Sequence, residues 1–172
     1  MPRLSREIII TEKIDGTNAS IHFTEDMQMF VGSRTRWITP QEDNFGFAKW
    51  AYEQQAELEK LGPGTHFGEW WGSGIQRGYS LSKGHKIFSL FNVNRWADDE
   101  IRPLCCSVVP ELYRGDFETA AVNWSLEFLK SNGSMAAPGF MKPEGVVIFH
   151  TAGNFGFKKT IEKDEIPKTL QK

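Results

Sequence analysis

Short runs of alternating apolar and polar residues, separated by turn residues, dominate this sequence. In residues 19–23 the apolar Ala19, Ile21 and Phe23 alternate with polar neighbours, which is the period of a strand buried on one face. Because short turns join neighbouring runs, antiparallel pairing is expected. The runs predicted as strands are residues 6–13, 19–23, 27–34, 65–72, 86–96, 104–113, 144–149 and 154–160.

Two segments have a helical period instead. Residues 44–61 place apolar side chains near one helical face, and the LGPG that begins at Leu61 ends the helix. A second helix is predicted from Asp116, as the N-cap, to Asn132 and Gly133. Its predicted buried face is Phe117, Ala120, Ala121, Trp124 and Phe128. Strands with two added helices predict a single α+β domain of 172 residues that ends in a charged tail, residues 161–172.

Composition excludes several classes of protein. Lys and Arg total 20 against 22 Asp and Glu, a net charge of −2, so contact with nucleic acid must come from a local patch. The adjacent Cys105 and Cys106 have neither disulfide nor zinc spacing. They are interpreted as small apolar strand residues in a reducing, cytoplasmic setting of the phage or bacterial type. No apolar stretch is long enough to span a membrane, so no membrane partner is expected.

Charged residues recur at the ends of the predicted strands. Lys13 ends an apolar run directly before the turn signal Asp15-Gly16. A single charge at a strand end is usually a solvated surface charge. The order of several such clusters along the chain is more informative. The clusters are Lys13-Ile14-Asp15-Gly16, Ser33-Arg34, Gly68-Glu69-Trp70, Glu144-Gly145 and Lys158-Lys159.

In this order the clusters resemble the motifs of covalent nucleotidyltransferases, the superfamily of ATP-dependent ligases and mRNA capping enzymes. KIDG at 13–16 is similar to the KxDG motif, and the Thr17 and Asn18 that follow are typical of ATP-dependent RNA ligases. GSRTRWI, HFGEWWGSGIQRGY, IFSLFNV, EGVVIF and GFKKT resemble the later motifs, so the resemblance covers residues 11–160. It implies antiparallel sheets flanked by helices, the ATP-grasp-like nucleotidyltransferase domain of ligases and capping enzymes.

The resemblance implies a catalytic set around Lys13, which would attack the α-phosphorus of ATP and become lysyl-AMP. An ordinary lysine, with a pKa near ~10.4, is neutral in only roughly 0.04% of molecules at pH 7. Nearby cations are therefore expected to lower the pKa of this amine. The implied cofactors are ATP and Mg²⁺ or Mn²⁺. The implied catalytic residues are Lys13, Asp15, Glu144 (also the metal ligand), Lys158 and Lys159.

The resemblance also implies binding residues. Glu69 would bind the ribose hydroxyls, and Phe91 would stack on adenine, with Phe88 as the rival. Arg34 would lie near the ribose and the incoming strand, and Asn18 would serve later steps. The full ATP-binding set is Glu12, Ile14, Asn18, Arg34, Glu69, Phe91 and Lys158. A nucleic-acid groove is expected to be lined by Arg36 and Arg77, together with Trp71 and Tyr79.

Two features depart from the family pattern. In the family's last motif, one residue usually lies between the two lysines, whereas Lys158 and Lys159 are consecutive. Either lysine could therefore contact the phosphate. Most relatives carry a second domain after this motif, but here only residues 161–172 follow Thr160. We therefore expect either a stand-alone minimal ligase or a truncated one.

The implied function is ATP-dependent RNA ligation, in which AMP passes from Lys13 to a 5′-phosphate RNA end that is then sealed to a 3′-hydroxyl. Three alternatives stay open. A DNA nick ligase shares the chemistry, a capping-type guanylyltransferase would prefer GTP, and a nucleotide- or RNA-binding module would lack catalysis. The natural RNA substrate and the oligomeric state are open as well.

Overall fold

The computed structural model describes residues 5–162 and 164. Within them the chain forms an α+β structure, so the predicted fold class is confirmed. Contacts group the chain into a first unit, up to Ile14 and from Pro110 onward, and a second unit, Asp15–Val109. Of the predicted charged tail, residues 163 and 165–172 lie outside the described residues.

The elements are numbered in chain order. The strands are β1 (Glu7–Lys13), β2 (Thr17–Phe23), β3 (Met29–Ser33), β4 (Trp37–Ile38), β5 (Gly64–Gly72), β6 (Lys86–Leu90), β7 (Cys106–Val108), β8 (Glu111–Asp116), β9 (Gly145–His150) and β10 (Phe155–Thr160). The helices are α1 (Phe47–Glu53), α2 (Gln55–Leu58), α3 (Val93–Trp96) and α4 (Thr119–Asn132).

The first unit is an antiparallel sheet of order β10-β9-β1-β8 with α4 packed on one face. Its core joins aliphatic residues of both layers, including Ile8, Ile10 and Ile148 from the sheet and Leu126 and Leu129 from α4. Side chains alternate between the faces of a strand, so every second residue of β1 points toward α4.

The sequence prediction for α4 is wrong at its start and in its buried face, except at Ala121. Asp116 does not cap the helix, because it is the last residue of β8 and pairs with Glu7 of β1. The buried residues are Ala121, Val122, Ser125, Leu126 and Leu129, whereas Trp124 is exposed. Two apolar stripes run along this helix, one of aromatic and one of mostly aliphatic side chains. The aliphatic stripe, which contains Leu126 and Leu129, packs against the isoleucines of the sheet.

The second unit is a sheet of order β4-β3-β2-β5-β6-β7. Its pairs are antiparallel except for β6 and β7, which are parallel. The predicted 44–61 helix is divided at Gln54 into α1 and α2 and then a 3₁₀ turn, Glu59–Leu61. One sheet face packs with these helices in a core that includes Ile21, Phe23 and Phe88.

Two predicted strands are shorter than expected. The run 86–96 leaves the sheet after Leu90, because the Asn92 side chain accepts a hydrogen bond from the Arg95 N–H at 3.2 Å and begins α3. The run 104–113 is divided between β7 and β8 at Pro110. Cys105 and Cys106 are free thiols, and the cytoplasmic setting stays a prediction. Within residues 5–162 and 164, no helix is long and apolar enough to cross a bilayer.

Candidate functional site

Lys13 is the last residue of β1 and pairs across the sheet with Gly145, the first residue of β9. Its Nζ donates a hydrogen bond to the carboxylate of Glu144, which directly precedes that strand. Glu144 is almost fully buried and Lys13 is mostly buried. A carboxylate removed from water beside an ammonium group forms a strong charge-assisted hydrogen bond. The register therefore brings two predicted catalytic residues, 131 positions apart in sequence, into direct contact.

The register also separates the two adjacent lysines of β10. Lys158 lies opposite Val147, which lies opposite Thr11 of β1. Because directly paired residues point to the same face, Lys158 shares a face with Thr11 and Lys13.

Lys159 lies on the other face of this sheet. It pairs with Val146, a residue of the α4-facing core, and its Nζ donates to Asp164 Oδ2 at 3.1 Å. The hydrogen bond from the Thr160 N–H, the largest cause, and the bond from Lys159 hold the Asp164 pKa below its usual value. Of the two lysines, only Lys158 is on the Lys13 face.

Gly145 permits the close strand approach that places Glu144 beside Lys13. Its φ of +156° is unusual for residues with side chains. A Cβ at this position would overlap the carbonyl oxygen of Lys159 on the neighbouring strand. The glycine is thus required by packing within the sheet.

Glu12 lies on the α4 side of β1, opposite Val146, and is buried. Its Oε2 accepts hydrogen bonds from the main-chain N–H groups of Met135 and Ala136, at 2.7 and 3.0 Å. Burial raises the pKa of Glu12, and the bonds from Ser134 and from these N–H groups offset part of that effect. The Glu12 side chain therefore anchors the loop after α4, and the assignment of Glu12 to the ATP-binding set stays a prediction. Ile14 is likewise a buried apolar side chain.

In the second unit, the Asp15-Gly16 turn is fixed by three residues of later elements. The Asp15 N–H donates to the Tyr79 hydroxyl at 2.7 Å, and Arg77 Nε donates to Asp15 Oδ2 at 2.9 Å. The Gly16 N–H donates to Glu69 Oε1 at 2.9 Å. Nothing in the local sequence signals these contacts, because the partners are more than 50 residues away. The hydrogen bonds of this turn to Tyr79, Arg77 and Glu69 were therefore not predicted from the sequence.

Glu69 and Asn18 are neighbours on one face of the second unit's sheet, since the register pairs them directly. Phe88 is 0% exposed inside the core of the opposite face, whereas Phe91 follows β6 and is 39% exposed. A buried ring has no face to offer a base. Phe91 is therefore the available aromatic of the two.

The predicted nucleic-acid residues divide into exposed and buried ones. Arg34 and Arg36 are exposed in the turn between β3 and β4. Arg77 is partly exposed and paired with Asp15. Trp71 and Tyr79 are about 1% exposed and pack edge to face at 4.9 Å, so the prediction that they line a groove is wrong.

The residues present are compatible with a divalent cation held in part by its substrate. The described residues contain no group of three or more His, Cys, Asp or Glu side chains that could hold a metal ion. Mg²⁺ at phosphoryl-transfer sites is commonly bound through one or two carboxylates together with phosphate oxygens and water. A single buried carboxylate such as Glu144 suits that coordination.

Comparisons with solved structures identify the fold. One mutant of Naegleria gruberi RNA ligase, determined with ATP and Mn, superposes with a TM-score of 0.67 at 18% identity over 94% of this chain and 51% of that chain. A second mutant, with AMP and Mn, gives 0.65 at 20% identity over 91% and 50%. An apo mutant gives 0.64 at 20% identity over 91% and 50%. This chain thus spans about half the length of these relatives.

Family comparison extends from the fold to the sequence. A comparison with curated proteins gives no match. The family model described as RNA ligase matches residues 6–163, a range that includes all of residues 11–160, over which the motifs were recognised. The resemblance predicted from those motifs is confirmed, and the chain belongs to the RNA ligase family.

Proposed function

We propose that this chain performs ATP-dependent RNA ligation through a lysyl-AMP intermediate on Lys13. The observation that carries the proposal is the contact of Lys13 Nζ with the buried carboxylate of Glu144, with Lys158 on the same sheet face. Similar Naegleria RNA ligase structures were determined with ATP and Mn and with AMP and Mn. Because the family model runs through both units, we propose that residues 1–172 act as one nucleotidyltransferase domain.

Three transfers make up the proposed reaction. The neutral Lys13 amine attacks the α-phosphorus of ATP, a P–N bond forms, pyrophosphate leaves and the amine loses a proton. A 5′-phosphate oxygen of RNA then attacks the same phosphorus, a P–O–P bond forms, the P–N bond breaks, and the lysine nitrogen takes up a proton as it leaves. Finally a 3′-hydroxyl attacks the 5′-phosphate, a phosphodiester forms, and AMP leaves with the bonding electrons while the hydroxyl proton is released.

Glu144 gives the first transfer a specific requirement. A carboxylate partner favours the ammonium form of Lys13, which has no lone pair to attack with. The nucleophile therefore forms only when the proton passes to the carboxylate or the contact opens. A divalent cation bound at Glu144 and the phosphates would supply charge stabilisation at the reacting phosphorus. Lys158, on the same face, would neutralise charge on the phosphate oxygens.

Residues of the second unit keep the roles that the family implies. Glu69 would accept from the ribose hydroxyls, and its bond to the Gly16 N–H already fixes its position. Phe91 would stack on the adenine, which its exposure supports. Arg34 would contact the incoming strand and Asn18 would serve the later transfers.

A label-transfer experiment tests the proposal. The protein is incubated with Mg²⁺ and α-labelled ATP, denatured and examined for acid-labile label, after mass measurement has shown that it is not already adenylylated. Lys13→Ala should take no label. Lys130→Ala is the matched control, because Lys130 is an exposed lysine paired with Glu127 on α4, and it should label as the wild type does.

Each alternative has its own result in the same assay. Label from GTP alone would identify capping chemistry. Sealing of nicked DNA but not of RNA by the labelled protein would identify a DNA ligase. A folded wild-type protein that takes no label would contradict the proposed function and favour a binding module, and a Lys13→Ala variant that is fully labelled would contradict the assigned nucleophile.

A further inference from the structure

One face of the second unit's sheet carries a row of four residues in which two small residues lie between two large aromatic ones. The register across β4, β3, β2 and β5 aligns Trp37, Gly32, Ser20 and Phe67 on this face. Trp37 is 59% and Phe67 55% exposed, while the two residues between them are small. We call this row the aromatic trough: exposed rings stand at its two ends, and Gly32 and Ser20 between them are buried, with the Trp37 ring lying over Gly32. Three strand spacings, about 14 Å, separate the backbone positions of Trp37 and Phe67.

The Trp37 wall is held in place by neighbouring rings. Phe30, 43% exposed, lies 6.0 Å from Trp37 between ring centroids, and His22 lies 6.1 Å from Trp37. The His22 ring is itself hydrogen-bonded to Thr65 at 2.8 Å. Rings fixed by such contacts lose little conformational freedom when a ligand stacks on them.

Positive charge lies at the same edge of the sheet. Arg34 and Arg36 occupy the turn that joins β3 to β4, and both are exposed. Arg36 is 3.8 Å from Glu42, but both side chains are largely in water, so this pair is weak. Exposed aromatic rings beside arginines are the combination that binds single-stranded nucleic acid, with bases stacked and phosphates paired.

The aromatic trough is continuous with residues to which the proposed function gives nucleotide roles. The pair Asn18–Glu69 is the next row on the same face, two residues or about 7 Å along the strands. At the other wall, the Phe91 N–H donates to the Phe67 carbonyl at 3.0 Å. Within the second unit, the aromatic trough therefore lies directly beside the residues proposed to bind the nucleotide.

We propose that the aromatic trough binds unpaired bases of the RNA strand to be joined, with Arg34 and Arg36 on its phosphates. This inference rests on the proposed function and deepens it, because it names single-stranded RNA as the substrate class. In a duplex the base faces are covered by their neighbours, and proteins read its shape, phosphates and 2′-hydroxyls instead. Exposed rings gain nothing from a duplex, whereas they stack on a splayed base.

Binding of a short, fluorescein-labelled single-stranded RNA of mixed sequence, followed by anisotropy, tests the inference. Trp37→Ala and Phe67→Ala should each weaken binding by at least about fivefold, the lower limit for losing one stacked base. Trp37→Phe and Phe67→Tyr keep a ring and should bind close to wild type. Trp124→Ala, which removes an equally exposed tryptophan from α4, is the matched control and should change nothing.

Salt dependence separates the arginines from the rings. Arg34→Ala and Arg36→Ala should each reduce the slope of log Kd against log salt by about 0.7, one phosphate contact of a single strand. The ring variants should weaken binding and keep the wild-type slope. Equal thermal midpoints for all variants would show that the exposed substitutions leave the fold intact.

Several results would overturn the inference. Wild-type affinity of both Trp37→Ala and Phe67→Ala for the single-stranded RNA would do so. Tighter binding of wild type to the RNA duplex than to the single strand of the same sequence would do so as well. Dimers of the wild type in sedimentation that dissociate in Trp37→Ala would assign the face to a second copy of the chain. The binding assay contains no ATP, so its outcome is separate from the label-transfer and sealing assays that decide the proposed function.

Discussion

The adjacent lysines of β10 provide a sharp test of the assigned catalytic face. Lys13 and Lys158 are separated by two strand spacings and two residues along the strand, which places their Cα atoms about 12 Å apart on one face. Two long side chains at this separation can converge on one phosphate. Lys159 points to the α4 face and is paired with Asp164, so it has no such access.

The expected effects differ by orders of magnitude. Removal of one preorganised donor at a site of developing charge typically lowers a rate by about 10²–10³, and we expect this loss in adenylylation for Lys158→Ala. Lys159→Ala breaks a half-exposed ion pair with Asp164, worth at most about 1 kcal/mol of stability. Because such a loss leaves nearly all molecules folded and Lys159 does not face Lys13, its rate should stay close to that of wild type.

Single-turnover transfer of label from α-labelled ATP to the protein measures both rates directly. The two variants differ by one position and remove the same group, so each is the other's control. If Lys159→Ala lost more activity than Lys158→Ala, the face assignment from the strand register would be refuted. Equal losses would show that both lysines reach the phosphate and would refute it as well.

Two further changes test the packing around Lys13. Burial raises the pKa of Glu12 above its usual 4.5, so the folded state holds this proton more tightly than the unfolded state does. The free energy of unfolding of wild type minus that of Glu12→Gln should then fall as the pH rises from about 4.5 through the raised pKa. Urea unfolding of both proteins at several pH values measures this difference. A difference that stays constant or rises with pH would contradict the prediction. Gly145→Ala should lower the free energy of unfolding by about 1–3 kcal/mol, because the new Cβ meets a backbone oxygen. Gly156→Ala in β10 is its control, since its Cβ would lie 3.5 Å from the nearest atom, and equal unfolding midpoints for the two variants would argue against the steric explanation.

Errors in the sequence analysis came where two local patterns competed. The α4 sequence carries two apolar stripes. Helical periodicity alone could not show that the isoleucines of the sheet pack against the stripe that contains Leu126 and Leu129. The run 86–96 has strand composition throughout, yet the Asn92 cap ends the strand at Leu90. In both cases tertiary packing or a single side-chain bond outweighed propensity.

The candidate site was anticipated by residue type more fully than by geometry. Ordered motifs named Lys13, Glu69, Glu144 and Lys158 because nucleotidyl transfer needs a nucleophile, carboxylates and cations in a fixed chain order. They could not distinguish Lys158 from Lys159 or Phe91 from Phe88. Those choices depend on which face of a sheet a side chain points to, and one position along a strand reverses it.

The sequence by itself determined the α+β class, most strand positions and membership of the RNA ligase family, because alternation and motif order are local or linear properties of the chain. Tertiary structure alone decided that Glu12 anchors a loop, that Tyr79 and Arg77 hold the Asp15 turn, and that Trp37 and Phe67 lie in one row on the same sheet face. These contacts join residues far apart in sequence. Strand register brings them together, and register is set by the packing of each whole sheet.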